Sequence, residues 1–300
     1  MRSYFALRAR SIAVIGEMSS NHVWVDTHCH LDAPEFSGDI NKLVNDASAL
    51  GVKALLLPTV KAADCDHVIG MAHLHSKTIL GLVYTLGIHP LYIGQSSEKD
   101  LLTLEQKIQT SLVDSRFVGI GEIGLDYFVD GIDPDRQEYF FHQQLDLAEQ
   151  FHLPVILHLR RSQDAILKAL RRRKLRGGIA HAFNGSFQQA EQFIELGFKL
   201  GFGGAATYDR ALQIRRLLRE LPLESIVTET DAPDIPPAWL RSEGMKFNEP
   251  AFLPRIAKSL ADIRGISHED FADATWANAM QALPRWSFLM ANLPAPLVSP

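Results

Sequence analysis

Cysteine is nearly absent. Cys29 and Cys65 are the only two in 300 residues. Two thiols cannot frame a disulfide scaffold, so the fold must rest on an apolar core, and a reducing, cytoplasmic compartment is expected. Long hydrophobic runs are missing too. Nothing approaches the roughly 18 apolar residues of a membrane-spanning helix, so no membrane partner is expected. An excess of positive charge is also lacking: 30 Lys and Arg stand against 35 Asp and Glu, for a net charge of −5. The surface as a whole therefore offers no general attraction for nucleic acid or anionic lipid, and a phosphate-bearing substrate must be gripped locally. There is no internal repeat, low-complexity segment or long linker, and no Gly-rich phosphate fingerprint follows the first strand. The one cationic run, Arg171 to Lys174 with Arg176, closes a predicted helix and reads as a solvated terminus suited to the macrodipole.

What is present is an alternation. The composition, 46% hydrophobic and 22% charged, is that of a soluble globular chain with a sizeable core. Short apolar runs predict strands at 23–25, 53–59, 82–88, 117–124, 154–160, 177–183, 198–204 and 225–231. Helical periodicity follows each, and helices near 250–264 and 268–283 finish the pattern. Buried strands alternating with helices imply parallel pairing through right-handed crossovers, and eight such units predict an α/β fold with a single closed (β/α)8 TIM barrel over 23–285. Residues 1–22, interrupted by Arg2, Arg8 and Arg10, are expected to be an unstructured extension rather than a signal peptide, with Met18 as a possible true start. Residues 286–300, with Pro294, Pro296 and Pro300, are expected to be a loosely docked tail.

In this fold active sites lie at the C-terminal ends of the strands, and polar residues interrupt the apolar runs at just those ends. The first strand runs into Asp26, His28 and His30. By alternation these three share a face, with Thr27 and Cys29 on the other, so Cys29 is not counted as a ligand. Later strands end at His89, Glu122, His158, His181 and Asp231. Each residue alone has an ordinary structural reading, as a hydrogen-bonded core histidine or a turn cap. Together, His28, His30, Glu122, His158, His181 and Asp231 would be costly to gather at one mouth unless they were paired or held cations. Six such groups exceed the three protein ligands of a catalytic zinc, so two divalent cations, with Glu122 bridging, are the economical reading.

The ordered set VDTHCHLD, GIHP, GEIGLDY, PVILHLR, HAFNGS, TETDAP, FNEPAFLP and ATWANA resembles the TatD family of metal-dependent hydrolases, among the amidohydrolase-like barrels, over about residues 23–284. The resemblance implies a bimetal centre of zinc, magnesium or manganese and a phosphoesterase activity, described for several members as DNase and often as 3′ to 5′ exonuclease. It implies that His28, His30, Glu122 and Asp231 bind one cation, that Glu122, His158 and His181 bind the second, and that His89 lies near the substrate phosphate. GGAATYDRA with TETDAPDIP is similar to a subgroup known as uncharacterised metal-dependent hydrolases. Leu91 and Phe247 stand where the family often has a His and a basic residue, which removes polar groups from the substrate rim.

The expected chemistry is hydrolysis of a phosphodiester, with single-stranded DNA or another phosphodiester as partner and a metal-activated water as nucleophile. Glu122 and Asp231 are the expected catalytic carboxylates, with Asp231 positioning the water and carrying its proton, and Arg160 with His89 gripping phosphate oxygens. Asp26 is expected to fix a ligand imidazole through its far nitrogen. The competing enzyme reading is a bimetal hydrolase of a small amide, ester or lactone, because fold does not choose the bond. A non-catalytic metal-binding scaffold is the third class. No obligate protein partner is expected.

Overall fold

The computed structural model describes residues 8, 12, 13, 15, 22–36 and 38–293. Eight strands pair in sequence order, all parallel: β1 (Trp24–Asp26), β2 (Val52–Pro58), β3 (Gly81–Leu86), β4 (Phe117–Asp126), β5 (Val155–Arg160), β6 (Gly178–Ala180), β7 (Phe198–Phe202) and β8 (Ile226–Thr228). The ring is completed between β8 and β1 just beyond the strands. There the Thr27 amide donates to Thr228 O (3.0 Å), the Asp231 amide to His28 O (2.9 Å) and the His30 amide to Ala232 O (2.8 Å). The expected α/β barrel is the fold.

Helices α1 (Ile40–Ala49), α2 (Cys65–His75), α3 (Glu98–Ser111), α4 (Pro134–Gln150), α5 (Gln163–Leu170), α6 (Phe187–Glu195) and α7 (Leu212–Glu220) cover the outside. After β8 come α8 (Ala238–Ser242), α9 (Leu253–Arg264), α10 (His268–Ala282) and α11 (Pro284–Ala291). Local chemistry starts these helices where the sequence says it should. The Asp39 carboxylate accepts from the Lys42 amide ahead of α1, Ser186 and Gln189 exchange bonds in a capping box ahead of α6, and Ser267 caps α10. Gly51, after α1, sits at φ +97°, and a side chain there would also strike His22 O, so glycine is required twice over.

Alternation along the strands sorts the core into two layers. Trp24, Leu55, Leu57 and Leu82 face the helices, whereas Val25, Ala54, Leu56, Val83, Val118, Ile156, Ile179 and Val227 fill the barrel. This inner cluster continues downward into Ala279, Leu283 and Trp286, so α10 and α11 plug the barrel's N-terminal end. Trp286 is fully buried, and its indole N–H donates to Gly81 O (2.9 Å). Arg285 fastens the same helix to Leu112 O and Asp114 O.

Two expectations about the ends are corrected. Between Trp286 and Ala291 the chain does not loosen, because the helix continues to Ala291 and buries Leu289 against the barrel floor. Pro294, Pro296 and Pro300 lie outside the described residues. At the other end Arg8, Ile12, Ala13 and Ile15 are helical, and Arg8 and Ile15 are buried, so these four residues of 1–22 are not unstructured. An apolar residue at position 15 and a carboxylate partner for Arg8 supply the reason. Met18 lies outside the described residues. The run Arg171 to Arg173 behaves as a helix terminus, with Arg173 paired to Asp146 (2.7 Å) and Arg171 bonded to Gln192.

Candidate metal centre and active site

At the C-terminal ends of the strands the apolar filling stops and ionisable groups replace it. They open into a cavity of about 1270 Å³ lined by His30, His89, Glu122, His158, His181 and Asp231, among others. Glu122, on β4, is 1% exposed and stands at the centre, its two carboxylate oxygens facing different neighbours. Oε2 lies 3.2 Å from His28 Nε2 and 3.4 Å from His30 Nε2. Oε1 lies 3.1 Å from His158 Nδ1, 3.3 Å from His89 Nε2 and 3.8 Å from His181 Nε2. Asp231 Oδ1 completes the first group, 3.7 Å from His28 Nε2 and 3.6 Å from His30 Nε2.

These separations fit a cation. A tetrahedron with metal–ligand bonds of about 2.1 Å has edges of about 3.4 Å, and the two imidazole Nε2 atoms are 3.2 Å apart. Among the described residues three groups are close enough to hold an ion: His28, His30 and Glu122; His28, His181 and Asp231; and His89, Glu122 and His158. All six expected ligands thus meet at one mouth, but His181 leans away from the His158 side. Its Nδ1 lies 3.3 Å from Glu229 Oε1, and its ring stacks on that of His28 with centroids 3.7 Å apart. His89 stands in the place beside Glu122 and His158 that the resemblance gave to His181. Its tautomer is set by the backbone: Nδ1 accepts from the Leu91 amide (3.1 Å), so the neutral ring carries its proton on Nε2 and points an N–H, rather than a lone pair, at Glu122. That suits a donor to an anionic oxygen better than a metal ligand.

The electrostatics follow from burial and crowding. Burial pushes the Glu122 carboxyl up, yet the imidazoles of His89 and His28 more than offset it and hold it well below the usual carboxylate range. Burial lowers His30, but the Glu122 carboxylate and then Asp231 push it up to about 9. Likewise burial lowers His181, and Asp231 and Glu229 raise it to about 10. His28 goes the other way, well below the ordinary histidine value, through burial and the charge on the stacked His181. Burial raises Asp231 to about 6 and lowers His89 to about 4. Perturbation on this scale, concentrated in one cleft, is what a working site displays.

Two carboxylates supporting the imidazoles were not foreseen. Asp126 Oδ2 lies 2.9 Å from His158 Nε2, behind the face that meets Glu122, and is itself oriented by the amides of Phe128 (2.9 Å) and Val129 (3.0 Å). Glu229 takes the same place behind His181, accepting from the Ala182 amide (2.6 Å). Gly201 leaves room for it, since a Cβ there would collide with the Glu229 carboxylate. Both residues sat in view at strand ends, within GEIGLDY and TETDAP. The missing signal was which carboxylate backs which ring. Asp26 does not do so, and that expectation is corrected. Its oxygens accept from the Thr230 amide (2.9 Å), Thr230 Oγ1 (2.7 Å) and the His28 amide (3.2 Å), so it knits the β8 end to the β1 end through the main chain. Burial raises it to about 7. Cys29 is buried in the outer core, away from the histidines, as alternation required.

Around the mouth, Arg160 is exposed with its guanidinium 3.7 Å over the Phe128 ring, and Arg161 lies 4.6 Å from the same ring. Leu91 lines the cavity and is partly exposed, and Phe247 is partly exposed in the loop after α8. Among the described residues no helix is long and apolar enough to cross a membrane.

A family model described as TatD related DNase matches residues 25–284. The chain belongs to this family. The E. coli TatD homologue YjjV, named an uncharacterised metal-dependent hydrolase, is 37% identical over 256 residues, spanning 85% of this chain and 95% of that one. The crystal structure of YjjV superposes with a TM-score of 0.80 at 35% identity, covering 88% of this chain and 99% of YjjV. A 3′-5′ ssDNA/RNA exonuclease TatD of Erwinia amylovora is 30% identical over 258 residues, 85% of this chain and 97% of that protein. The TatD-family chain is therefore a metal-dependent hydrolase, with His, Glu and Asp clusters at the barrel mouth able to hold the metal.

Proposed function

We propose that this hydrolase cleaves phosphodiester bonds at the ends of single-stranded nucleic acid, as a DNase or 3′ to 5′ exonuclease using two divalent cations, zinc, magnesium or manganese. The observation that carries the reading is Glu122, whose Oε2 faces His28 and His30 at 3.2 and 3.4 Å while its Oε1 faces His158 at 3.1 Å. One carboxylate between two sets of nitrogen donors is the arrangement a bridging ligand needs. His28, His30, Glu122 and Asp231 would hold one cation, and Glu122 and His158, with His181 on the far side, the other. Bound there, the cations would supply Lewis acidity toward the phosphoryl oxygens and a water ionised near neutral pH.

The chain's own residues do the rest. Asp231, raised to about 6, is a carboxylate at neutral pH that can still take a proton from an incoming water and return it to the leaving oxygen. His89 offers its Nε2–H to a non-bridging phosphate oxygen, and Arg160, which lines the same cavity, offers a planar fork of donors. Asp126 and Glu229 hold His158 and His181 in orientation.

The mouth is asymmetric, which favours a chain end. Arg160, Arg161 and the exposed Phe128 ring border the cavity at β4 and β5, where a base can stack and a phosphate pair. Asp32, Glu35 and Asp64 line it beyond β1 and β2, where Lys61, 4.0 Å from Asp64, offsets one of the three charges. A polyanion running over both sides would bring phosphates against carboxylates, whereas a terminal nucleotide would not. A panel of 3′- and 5′-labelled single strands, a circular single strand, bis-p-nitrophenyl phosphate, and amide, ester and lactone substrates tests the reading. Stepwise loss from the 3′ end with the circle intact is expected. Turnover of the acyl substrates alone would replace it with the small-molecule hydrolase reading.

A further inference from the structure

The barrel's closing seam carries half of the candidate ligands, since His28 and His30 follow β1 and Asp231 follows β8. The seam is held by a few main-chain bonds beyond the strands rather than by a long ladder. Asp231 itself sits at φ +55°, a left-handed conformation that a non-glycine residue keeps only where its surroundings over-determine it. Besides the seam bonds and the hold of Asp26 on Thr230, it is held from the loop after α8. Asn248 donates from its side chain to Thr230 O (2.7 Å) and from its amide to Pro233 O (2.9 Å), bracketing Asp231 on both sides. Asn248 Oδ1 accepts in turn from the Glu249 amide (3.0 Å).

Glu249 is where an unexpected residue enters. Its carboxylate is 1% exposed and is gripped by Arg8, whose Nε–H is shared between both oxygens at 2.9 and 2.8 Å and whose Nη2 lies 2.8 Å from Oε2. The same guanidinium reaches Asp46 Oδ2 on α1 at 2.6 Å, and Arg8 is itself only 5% exposed. Arg8 thus bridges the helix that follows β1 and the loop after α8, across the outside of the seam. It lies outside the family match, which begins at residue 25.

We propose that Arg8 is a positioning residue for the Asp231 side of the cation site, acting through Glu249 and Asn248 from a segment the family match does not include. A buried carboxylate that loses a two-pronged guanidinium loses much of its charge compensation and shifts relative to the contacts that remain. The backbone it shares with Asn248 moves with it, and the bracket around Asp231 slackens. This rests on reading Asp231 as a cation ligand but not on the identity of the substrate.

The test is Mn²⁺ binding by calorimetry, alongside thermal midpoints, on the 300-residue chain and on R8Q, R8K, E249Q, R8Q/E249Q and D231N. R8Q is expected to weaken Mn²⁺ by about tenfold, the size seen when a group supporting a metal ligand is removed, at the same site that D231N weakens. R8K should fall between R8Q and the parent, and the double variant should bind as E249Q does, because Arg8 acts through Glu249. A lower melting temperature with unchanged Mn²⁺ affinity, or additive effects of R8Q and E249Q, would overturn the proposal and leave Arg8 a staple of the fold. Should R8Q not fold, R8K keeps the charge but not the two-pronged grip and is read the same way. An effect of D231N with none from R8Q or R8K removes the role of Arg8 alone, whereas unchanged affinity in D231N removes the site reading beneath it.

Discussion

The two ends of this barrel are built from the same eight strands and differ in what the strand interiors meet there. At the N-terminal end Val25, Val83 and Val227 run down onto Leu283 and Trp286, and the only polar atom of that indole finds Gly81 O. At the C-terminal end the same interior runs up into buried imidazoles and carboxylates around Glu122. Burying that many ionisable groups costs several kcal/mol each unless they pair or hold cations. Most of the non-glycine residues with positive φ, Arg161, Ala182, Asp231 and Ile235, lie beyond strand ends at the mouth, with His152, between α4 and β5, the exception at the other end. One end stores stability and the other is held in shape by it, a separation that lets chemistry vary on a constant frame.

The comparison can be broken most forcefully at Glu122. Replacing it by Ala should lower turnover by about three orders of magnitude or more while the fold persists, because the interactions lost serve the reaction. Near-parent phosphodiesterase rates in E122A or D231A would contradict the assignment. The opposite signature is expected at the floor. Trp286→Ala should cost about 3–5 kcal/mol of stability by denaturant titration and leave the cation affinity of the folded fraction unchanged. A parallel loss of affinity would show that the ends are not separate.

Smaller effects sharpen the picture. D126N and E229Q should each weaken cation binding by about 10–100-fold, with the fold intact by circular dichroism. Cation binding should release protons, because His30 and His181 are pushed up to about 9 and about 10 and a ligand imidazole must be neutral. The sign is fixed: below those values the proton competes, so affinity rises with pH toward them, and calorimetry near pH 7.5 in buffers of different ionisation enthalpy should give different apparent enthalpies. Equal enthalpies would show both rings already neutral. The smallest change is expected at the rim, where Arg160→Ala should raise KM for a single-stranded oligonucleotide and reduce the salt slope by about one with little effect on kcat.

Much of this was legible because barrels write their function at a fixed place in the repeat. The strand-to-helix alternation located eight strand ends, and His28, His30, Glu122, His158, His181 and Asp231 were each visible as a polar interruption there. Ranking among them was not legible. Whether His89 or His181 stands beside His158 depends on which way side chains from β3 and β6 lean, and Asp126 and Glu229 became partners of imidazoles only once β4, β5, β6 and β8 were set side by side. Asp26 was misread because alternation assigns a face to a side chain in a regular strand, and β1 gives way to irregular backbone beyond Asp26. The ends of the chain were misread for a related reason. Neither the helix after Trp286 nor Arg8 has a local pattern strong enough to announce its docking.

By itself, then, the sequence determined the (β/α)8 class, the mouth of the barrel as the place of chemistry, and a donor set suited to divalent cations, since all of these follow from periodicity and residue type along the chain. The tertiary structure alone decided which oxygen of Glu122 faces which imidazole, which carboxylates stand behind them, and that a residue as distant as Arg8 reaches the loop behind Asp231. Those facts depend on distances between segments tens to hundreds of residues apart, and closing a ring of strands sets such distances where no local propensity can.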